Sequence, residues 1–331
     1  MKSVLVTGGA GYVGSVLVPR LLENGYKVRV LDSLFFGKEP LDPVINNPNF
    51  DLIVGRIEDP YIVEKAVRGM DSVIHLAGLA NDPCCDLSPD ATQRINYEAT
   101  KKLLDYAKKA NVSRFIFASS CSIYGDAQGC DWLNETSPTN FVTLYAKAKF
   151  ACEKAITEAS SENFETVCLR KGTIYGLSPR MRFDLVANIF IAKSLNEGII
   201  TVNGGEQWRP IIHVSDIVNA YILTLEASSE KVASQIFNVG SNEQNYQMIQ
   251  LAKMIQELVP NTKMEVTGTN DARSYHVSFD KIAKSLGFKA EKTVRDAVDE
   301  IKEAFDKKII TNYKDINYYN IGRMVYSGLP I

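Results

Sequence analysis

The chain has 331 residues, 45% of them hydrophobic and 23% charged, with 37 lysines and arginines against 39 aspartates and glutamates. That composition belongs to a globular protein and excludes a disordered, collagenous or coiled-coil chain. A net charge of -2 leaves no basic field for a polyanion, so nucleic acid is not expected as a partner and any phosphate must be met by local arginines.

Val4–Thr7 reads as a buried strand running into the glycine-rich turn Gly8-Gly-Ala-Gly-Tyr-Val-Gly14 and a helix over Tyr12–Glu23. Gly9, Gly11 and Gly14 fit G-x-G-x-x-G, while Gly8, Gly11 and Gly14 fit G-x-x-G-x-x-G. Without Cβ atoms the turn can be tight, and a pyrophosphate can approach backbone N–H groups at the positive end of the helix. The second strand, Val28–Leu31, ends at Asp32. An acid there can accept hydrogen bonds from the adenosine ribose hydroxyls and would repel a 2′-phosphate, which favours NAD over NADP. The plainer alternative is an ordinary strand–helix turn in which Asp32 caps the next turn.

Further strands are expected at Leu52–Val54, Ser72–Leu76, Phe115–Ser119 and Thr166–Leu169, alternating with helices at Tyr61–Val67, Thr92–Lys109 and Leu144–Ala159. Apolar strands separated by helices point to a parallel sheet covered on both faces, with right-handed crossovers. After Arg170 the rhythm changes. A loop (176–182) leads to a helix, Phe183–Leu195, then a strand at Ile199–Val202 and a turn at Asn203–Gly205. A helix begins at His213–Asp216 and a buried strand lies at Ile236–Val239. Helices at Met248–Leu258 and Thr293–Phe305 flank strands at Met264–Thr267 and Tyr275–Ser278. The expected fold is α/β: a Rossmann-type doubly wound parallel sheet with a smaller C-terminal α/β substrate lobe. Residues 1–172 form the NAD-binding domain, with 211–244 returning to it; 173–210 and 245–331 form the lobe. The tail from Ile309, with its four tyrosines, shows no period.

No run of about eighteen apolar residues suggests a membrane span, and the strand-like run Ser3–Val6 leaves no room for a signal peptide. Six cysteines (84, 85, 121, 130, 152, 168) contain no C-x-x-C pair and only three histidines accompany them. Neither a metal site nor a disulfide framework is expected, and a cytoplasmic location is.

Proton-transfer chemistry is suggested by Tyr145-Ala-Lys-Ala-Lys149, whose two functional side chains share a helix face. A tyrosine titrating near 10 needs about 4 kcal/mol of preferential phenolate stabilisation to act near pH 7. The Lys149 ammonium and a cationic nicotinamide could supply it. The spacing alone carries little, since Tyr61/Lys65 and Tyr97/Lys101 share it. Only the third pair follows a strand ending in hydroxyl residues, Phe115-Ile-Phe-Ala-Ser-Ser-Cys-Ser-Ile-Tyr-Gly125. That puts Ser120 at a strand's carboxyl end, where ligands bind in open α/β sheets.

Together these segments resemble the extended short-chain dehydrogenase/reductase family, specifically its NAD-dependent nucleotide-sugar epimerase/dehydratase branch. The resemblance also rests on Val73-Ile-His-Leu-Ala-Gly78, Asn96, Arg170-x4-Tyr175-Gly176, Arg209-Pro-Ile-Ile-His-Val-Ser-Asp216 and Phe237-Asn-Val-Gly240. It implies that Tyr145 is the base for a sugar hydroxyl, that Lys149 lowers its pKa and binds the nicotinamide ribose, and that Ser120 hydrogen-bonds the same hydroxyl. Cofactor contacts are implied for Gly8, Gly11, Tyr12, Val13, Gly14, Asp32, Arg56, Ile57, Leu76, Ala77 and Lys149. Substrate contacts are implied for Ser122, Arg180, Arg182, Arg209 and Arg273, the last two meeting the nucleotide diphosphate. A homodimer through the helices bearing Thr92–Lys109 and Tyr145 is implied as well.

Departures narrow the chemistry. Sugar 4,6-dehydratases of this family carry an Asp-Glu pair where this chain has Cys121 and Ser122, so water elimination is disfavoured. Cys121 is expected to be a small buried hydrophobe. Arg56 stands where relatives often place an aspartate against adenine, leaving Asp59 as a substitute, and Lys171-Gly172-Thr173 replaces a stretch where asparagine is common. The string Ser178-Pro-Arg-Met-Arg-Phe-Asp-Leu-Val-Ala-Asn188 resembles relatives acting at the sugar 4-position. The expectation is therefore a 4-epimerase or a net 4-dehydrogenase/ketoreductase for a nucleotide-diphosphate sugar, in surface-polysaccharide or deoxysugar biosynthesis. The alternatives are a non-catalytic NAD-binding scaffold and a reductase of non-nucleotide carbonyl compounds.

Overall fold

Side chains of Ser3–Thr7 (β1) alternate between two apolar cores, Val4 and Val6 entering one and Leu5 the other. The same two-sided burial recurs across the sheet, as a parallel sheet requires. The computed structural model describes residues 2–127, 132–269 and 271–327; Cys130 lies outside them. Six further parallel strands complete the main sheet. They are Lys27–Asp32 (β2), Phe50–Val54 (β3), Ser72–His75 (β4), Arg114–Ser120 (β5), Glu165–Lys171 (β6) and Gln235–Val239. In chain order the last is β10, after Thr173–Tyr175 (β7), Ile199–Asn203 (β8) and Trp208–His213 (β9). The spatial order is β10-β6-β5-β4-β1-β2-β3. Direction of travel reverses between β1 and β4, and the crevice beyond their carboxyl ends is where such sheets bind ligands.

One face carries the helices Gly14–Glu23 and Val214–Glu226, whose buried residues join Val4 and Val6. On the other, Pro60–Val67, Ala99–Lys109 and Leu144–Ala159 bury Val63, Leu103, Cys152 and Ile156 against Leu5, Phe115 and Phe117. The smaller lobe holds the three-stranded sheet β11-β9-β7, with β11 at Asn245–Gln247, and a parallel pair of β8 with Lys263–Thr267 (β12). The chain leaves the small sheet after His213, packs Val214–Glu226 on the main domain and adds β10 beside β6. No helix of the described residues is long and apolar enough to cross a membrane.

Two expected elements differ. Instead of one helix over 92–109 there is a short helix, Pro89–Thr92, a π-helical turn, Gln93–Glu98, and then Ala99–Lys109. The wide turn brings buried Asn96 to Leu79, whose N–H it accepts at 2.7 Å and whose carbonyl it donates to at 3.0 Å. Such turns mark functional sites, and this one fixes the loop after β4. Tyr275–Ser278 is not a ladder strand. Tyr275 and Val277 are buried in alternation, which explains the strand-like pattern. The backbone of Val277, however, exchanges hydrogen bonds with the Asn245 side chain at 2.9 and 3.0 Å.

The tail folds back across the lobe. Phe183 packs its ring against Phe305, Tyr313 and Tyr318, with centroids 6.2, 5.9 and 5.4 Å away. Its N–H donates to the Tyr318 carbonyl at 3.0 Å. The closing helix, Asn320–Tyr326, brings Asn320 and Met324 to the central cavity.

Candidate active site

At the reversal point the turns after β1 and β4 touch. Gly8 has a φ of +75°, and a Cβ there would stand 2.8 Å from the Ala77 nitrogen. A Cβ on Gly14 would stand 2.3 Å from the Gly8 carbonyl oxygen. The frame that needs its glycines is therefore Gly8 and Gly14, each for close backbone approach. Asp32, at the end of β2, accepts the Ala10 N–H at 2.9 Å and the Leu34 N–H at 2.8 Å. Burial raises its pKa, and these two amides act against that rise.

The cavity over this turn has a volume of about 1220 Å³, above the roughly 300–1,000 Å³ usual for a single small ligand. Gly8, Gly11, Tyr12, Val13, Gly14, Asp32, Arg56, Ile57, Leu76 and Ala77 all line it, as do Ser120, Ser122, Tyr145, Arg180, Arg182, Arg209 and Arg273. Lys149 alone of the expected residues is absent from the lining, buried in the wall. Glycines that a Cβ would block, beside an acid ending β2, fit a dinucleotide. Tyr12 contributes its backbone; its hydroxyl is tied to the lobe, donating to the Gly176 carbonyl at 2.6 Å and accepting from Asn188 at 3.0 Å. Arg56 pairs with Glu58, which also holds Arg94. Asp59 is engaged as a helix cap, accepting the Tyr61 and Ile62 N–H groups, and does not line the cavity; it offers no substitute acid for adenine.

The helix Leu144–Ala159 starts at Thr143, whose hydroxyl accepts the Ala146 N–H at 3.2 Å. This sets Tyr145, Lys149 and Glu153 in one stripe against β5, at the four-residue spacing of a helix face. Tyr145 and Ser120, at the strand's end, both line the cavity, and the Ser120 hydroxyl accepts the Ser122 N–H at 3.1 Å. Lys149 Nζ donates to the Ala118 carbonyl at 2.8 Å and lies 5.7 Å from the Tyr145 ring centroid. Burial drives the Tyr145 pKa up, aided by Cys85 and Asp82 and opposed by Ser120. Burial likewise lowers the Lys149 pKa. In the chain without cofactor the net shift of the phenol is upward, so the cationic nicotinamide expected beside Lys149 is needed to lower it.

Below that pair, Glu153 accepts from the Ser119 hydroxyl and from Arg170, at 3.0 and 3.2 Å from Nε and 2.8 Å from Nη2. Arg170 also donates to the Tyr124 hydroxyl at 3.0 Å. His75, at the end of β4, bridges the hydroxyls of Thr7 (2.6 Å) and Thr100 (2.9 Å). Burial and then Lys149 push its pKa down to about 3, so it is neutral. The other two Tyr/Lys pairs are surface features: Tyr61 is 75% exposed, and Lys101 lies 5.5 Å over the Tyr97 ring.

At the far end, Arg209 and Arg273 share Asp271, and Arg273 also pairs with Asp82. Burial works to raise the Asp271 pKa, but Arg273 and Arg209 hold it at about 2. Arg182 makes a bidentate pair with Asp184 at 2.8 and 2.9 Å. Arg180 lines the cavity on the side of the glycine turn. It stacks 3.8 Å over the Phe36 ring, donates to Asn320 at 2.6 Å and offers its backbone N–H to Ser15 at 3.4 Å, beside the glycine turn.

Cys121 is buried, its thiol donates to the Arg170 carbonyl at 3.2 Å, and burial raises its pKa. It is no nucleophile, since a thiol needs its thiolate form to react. Ser122 is buried with an unpartnered hydroxyl at the cavity. Among the lining residues not singled out as site residues in the sequence are Asp82, Lys171, Asp271, Asn320 and Met324. Asp271 stands two positions from Arg273 and could have been suspected; the tail residues carry no local signal. The described residues hold no cluster of histidine, cysteine and carboxylate side chains fit for a metal.

The model of the NAD dependent epimerase/dehydratase family matches residues 4–240. UDP-glucuronic acid decarboxylase 4 of Arabidopsis thaliana is 31% identical over 323 residues, covering 94% of this chain and 70% of that protein. Among solved structures, MoeE5 in complex with UDP-glucuronic acid and NAD superposes with a TM-score of 0.80 at 25% identity, over 92% of this chain and 99% of that one. UDP-glucose 4-epimerase of Thermotoga maritima, with UDP-glucose, gives a TM-score of 0.81 at 27% identity, over 93% and 99%.

Proposed function

The chain belongs to the NAD-dependent epimerase/dehydratase family, an extended short-chain dehydrogenase/reductase type, and from that premise we propose that it oxidises and reduces the 4-position of a nucleotide-activated sugar. The observation that carries this reading is that Ser120, at the end of β5, and Tyr145 line one cavity with the glycine turn, with Lys149 anchored behind them on the Ala118 carbonyl. Tyr145 takes the proton of the sugar hydroxyl on oxidation and returns it on reduction. Ser120 orients that hydroxyl. Lys149, anchored on the Ala118 carbonyl, places positive charge behind the phenol and reaches the nicotinamide ribose. NAD, held by the turn Gly8–Gly14 with its adenosine ribose on Asp32, supplies hydride exchange when bound. Arg209 and Arg273 bind the diphosphate, Arg182 and Ser122 the sugar side.

Neither Cys121 nor Ser122 is a carboxylate, so no acid–base pair for water elimination stands beside Tyr145. The outcomes proposed are inversion at the 4-position and net oxidation or reduction there. Incubating the NAD-loaded enzyme with a panel of nucleotide sugars, and following products by NMR and absorbance at the NADH band, decides. An isomerised sugar without free NADH identifies an epimerase; a keto-sugar with stoichiometric NADH identifies a dehydrogenase. No turnover of any nucleotide sugar would overturn the reading and favour the scaffold alternative.

Two further expectations belong here. Arg273→Ala should weaken nucleoside-diphosphate binding by about ten- to a hundredfold, the loss of hydrogen bonds to a charged group at about 1.5–3 kcal/mol. Unchanged affinity by calorimetry would point instead to a non-nucleotide carbonyl substrate. Asp32→Ala should reduce the preference for NAD over NADP by a similar factor, read from the two dissociation constants, because one change removes both the ribose acceptor and the charge opposing a 2′-phosphate. We also propose a cytoplasmic homodimer. Half-exposed Tyr97, Tyr106, Phe141 and Phe150 lie on or beside the two helices expected to pair, and light scattering on the purified protein tests it.

A further inference from the structure

The cations of the cavity are unevenly matched. Arg182 has Asp184, Arg209 and Arg273 have Asp271 and Asp82, and Arg56 has Glu58, while Arg180, stacked on Phe36 and bonded to Asn320, and Lys193 have no ion pair among the described residues. Lys171 has no ion-pair or hydrogen-bond partner among the described residues. It closes β6 directly opposite Ser120 in the sheet register and lines the cavity with Ser120, Ser122 and Tyr145. The charged and titratable groups around it are Lys149 from the helix Leu144–Ala159, Arg182 from the loop before Val186 and Cys121 after β5. Two of these are cations and the third is a thiol held neutral by burial. Burial first, then Lys149 and Arg182, push the Lys171 pKa down to about 7. Nearby, the buried Ser122 hydroxyl also lacks a partner. A desolvated ammonium without a counter-charge and an unsatisfied hydroxyl both cost free energy until an acceptor arrives.

Resting on the 4-position reading above, we infer that Lys171 and Ser122 form a carboxylate subsite at the sugar end of the cavity, which selects nucleotide-linked sugar acids over neutral sugars. The ammonium and the hydroxyl are donors only toward such a ligand. A carboxylate accepts from both, whereas a neutral hydroxymethyl group leaves the ammonium without a counter-charge. The diphosphate is served at the other end by Arg209 and Arg273, so Lys171 reads a second negative charge on the sugar. The chain's own carboxylates in the cavity are already committed to arginines or to backbone amides.

The test compares matched pairs by calorimetry on the NAD-loaded enzyme: UDP-glucuronate with UDP-glucose, and GDP-mannuronate with GDP-mannose. At pH 6.5 the acid of at least one pair should bind ten times or more tighter than its neutral partner. In Lys171→Met and Lys171→Gln that ratio should fall to about one, with retained NAD binding and an unchanged melting temperature certifying each variant. Equal binding of acid and neutral sugars, or a preference that survives both substitutions, would overturn the carboxylate subsite and leave the 4-position reading intact. Binding of none of the four nucleotide sugars would overturn both.

Discussion

The Tyr145→Phe protein is expected to lose about 10³-fold in kcat with a nucleotide sugar while retaining NAD. General acid–base catalysis by one positioned group contributes roughly 10²–10⁴-fold, and neither His75, Cys121 nor Ser120 can substitute. His75 is neutral, buried and bonded to two threonines. Cys121 is bonded to a carbonyl with its pKa raised. Ser120 has a hydroxyl but no base behind it. Because burial raises the phenol in the chain alone, kcat should rise with pH up to the pKa the phenol attains in the ternary complex, the base being active only when deprotonated. Phe removes one oxygen and fills nearly the same space, so NAD affinity should stay within about threefold, as expected when no buried group is left unpaired. Single-turnover kinetics and NAD titration on one preparation read both quantities. Turnover within tenfold of the parent protein would refute the assignment of Tyr145.

Glu153→Ala carries the largest expected loss of stability, about 3–5 kcal/mol, because it leaves the Arg170 guanidinium buried without its counter-ion. The pair is almost completely buried, at 4% and 2% side-chain exposure. The carboxylate takes three hydrogen bonds from Arg170 and one from Ser119. The exposed pair Lys284–Asp280 is screened by solvent and should matter far less. Urea unfolding of Glu153→Ala beside Asp280→Ala measures the contrast. Replacing Glu153 by Leu together with Arg170 by Met should recover part of the loss, since an apolar pair removes the orphaned charge. A Glu153→Ala midpoint indistinguishable from that of Asp280→Ala would show the ion pair to be unimportant. The pair lies under the catalytic stripe: Glu153 is one turn from Lys149, and Arg170 directly precedes Lys171. A milder variant, Glu153→Gln, should therefore lower kcat more than it alters the NAD dissociation constant.

Much of the cavity wall was legible from order and spacing. Gly8 to Gly14, Asp32 and the strand ending at Ser120 all lie at carboxyl ends of parallel strands, and that rule needs only the strand assignment. Choosing Tyr145 over Tyr61 and Tyr97 followed from the hydroxyl-rich strand before it. Other features were hidden because their signal is not local. Tyr275–Ser278 alternates like a strand, yet its backbone bonds scatter to the Asn245 side chain and to the backbones of Leu133 and Trp208, all distant in sequence. Thr92–Lys109 reads as a continuous helix, but Asn96 widens one turn to reach Leu79. In the tail, Tyr313 and Tyr318 pack on Phe183 and carry Asn320 and Met324 to the cavity; no periodicity marks a segment that packs side chain by side chain.

Backbone periodicity, with glycines and hydroxyls at fixed offsets, was enough to place the parallel sheet, the glycine turn and the Tyr145/Lys149 helix face along the chain. Which charges are matched follows from how the chain closes on itself. Net charge near zero says nothing about whether a given lysine meets a carboxylate. In the folded chain Arg182, Arg209 and Arg273 do, and Lys171, beside Ser120 across two strands, does not. Arg182–Asp184 and Arg273–Asp271 are two positions apart, but Arg209–Asp271 and Arg273–Asp82 span 62 and 191 positions, so the full pattern of pairing emerges only after the strands and the lobe have closed on one another.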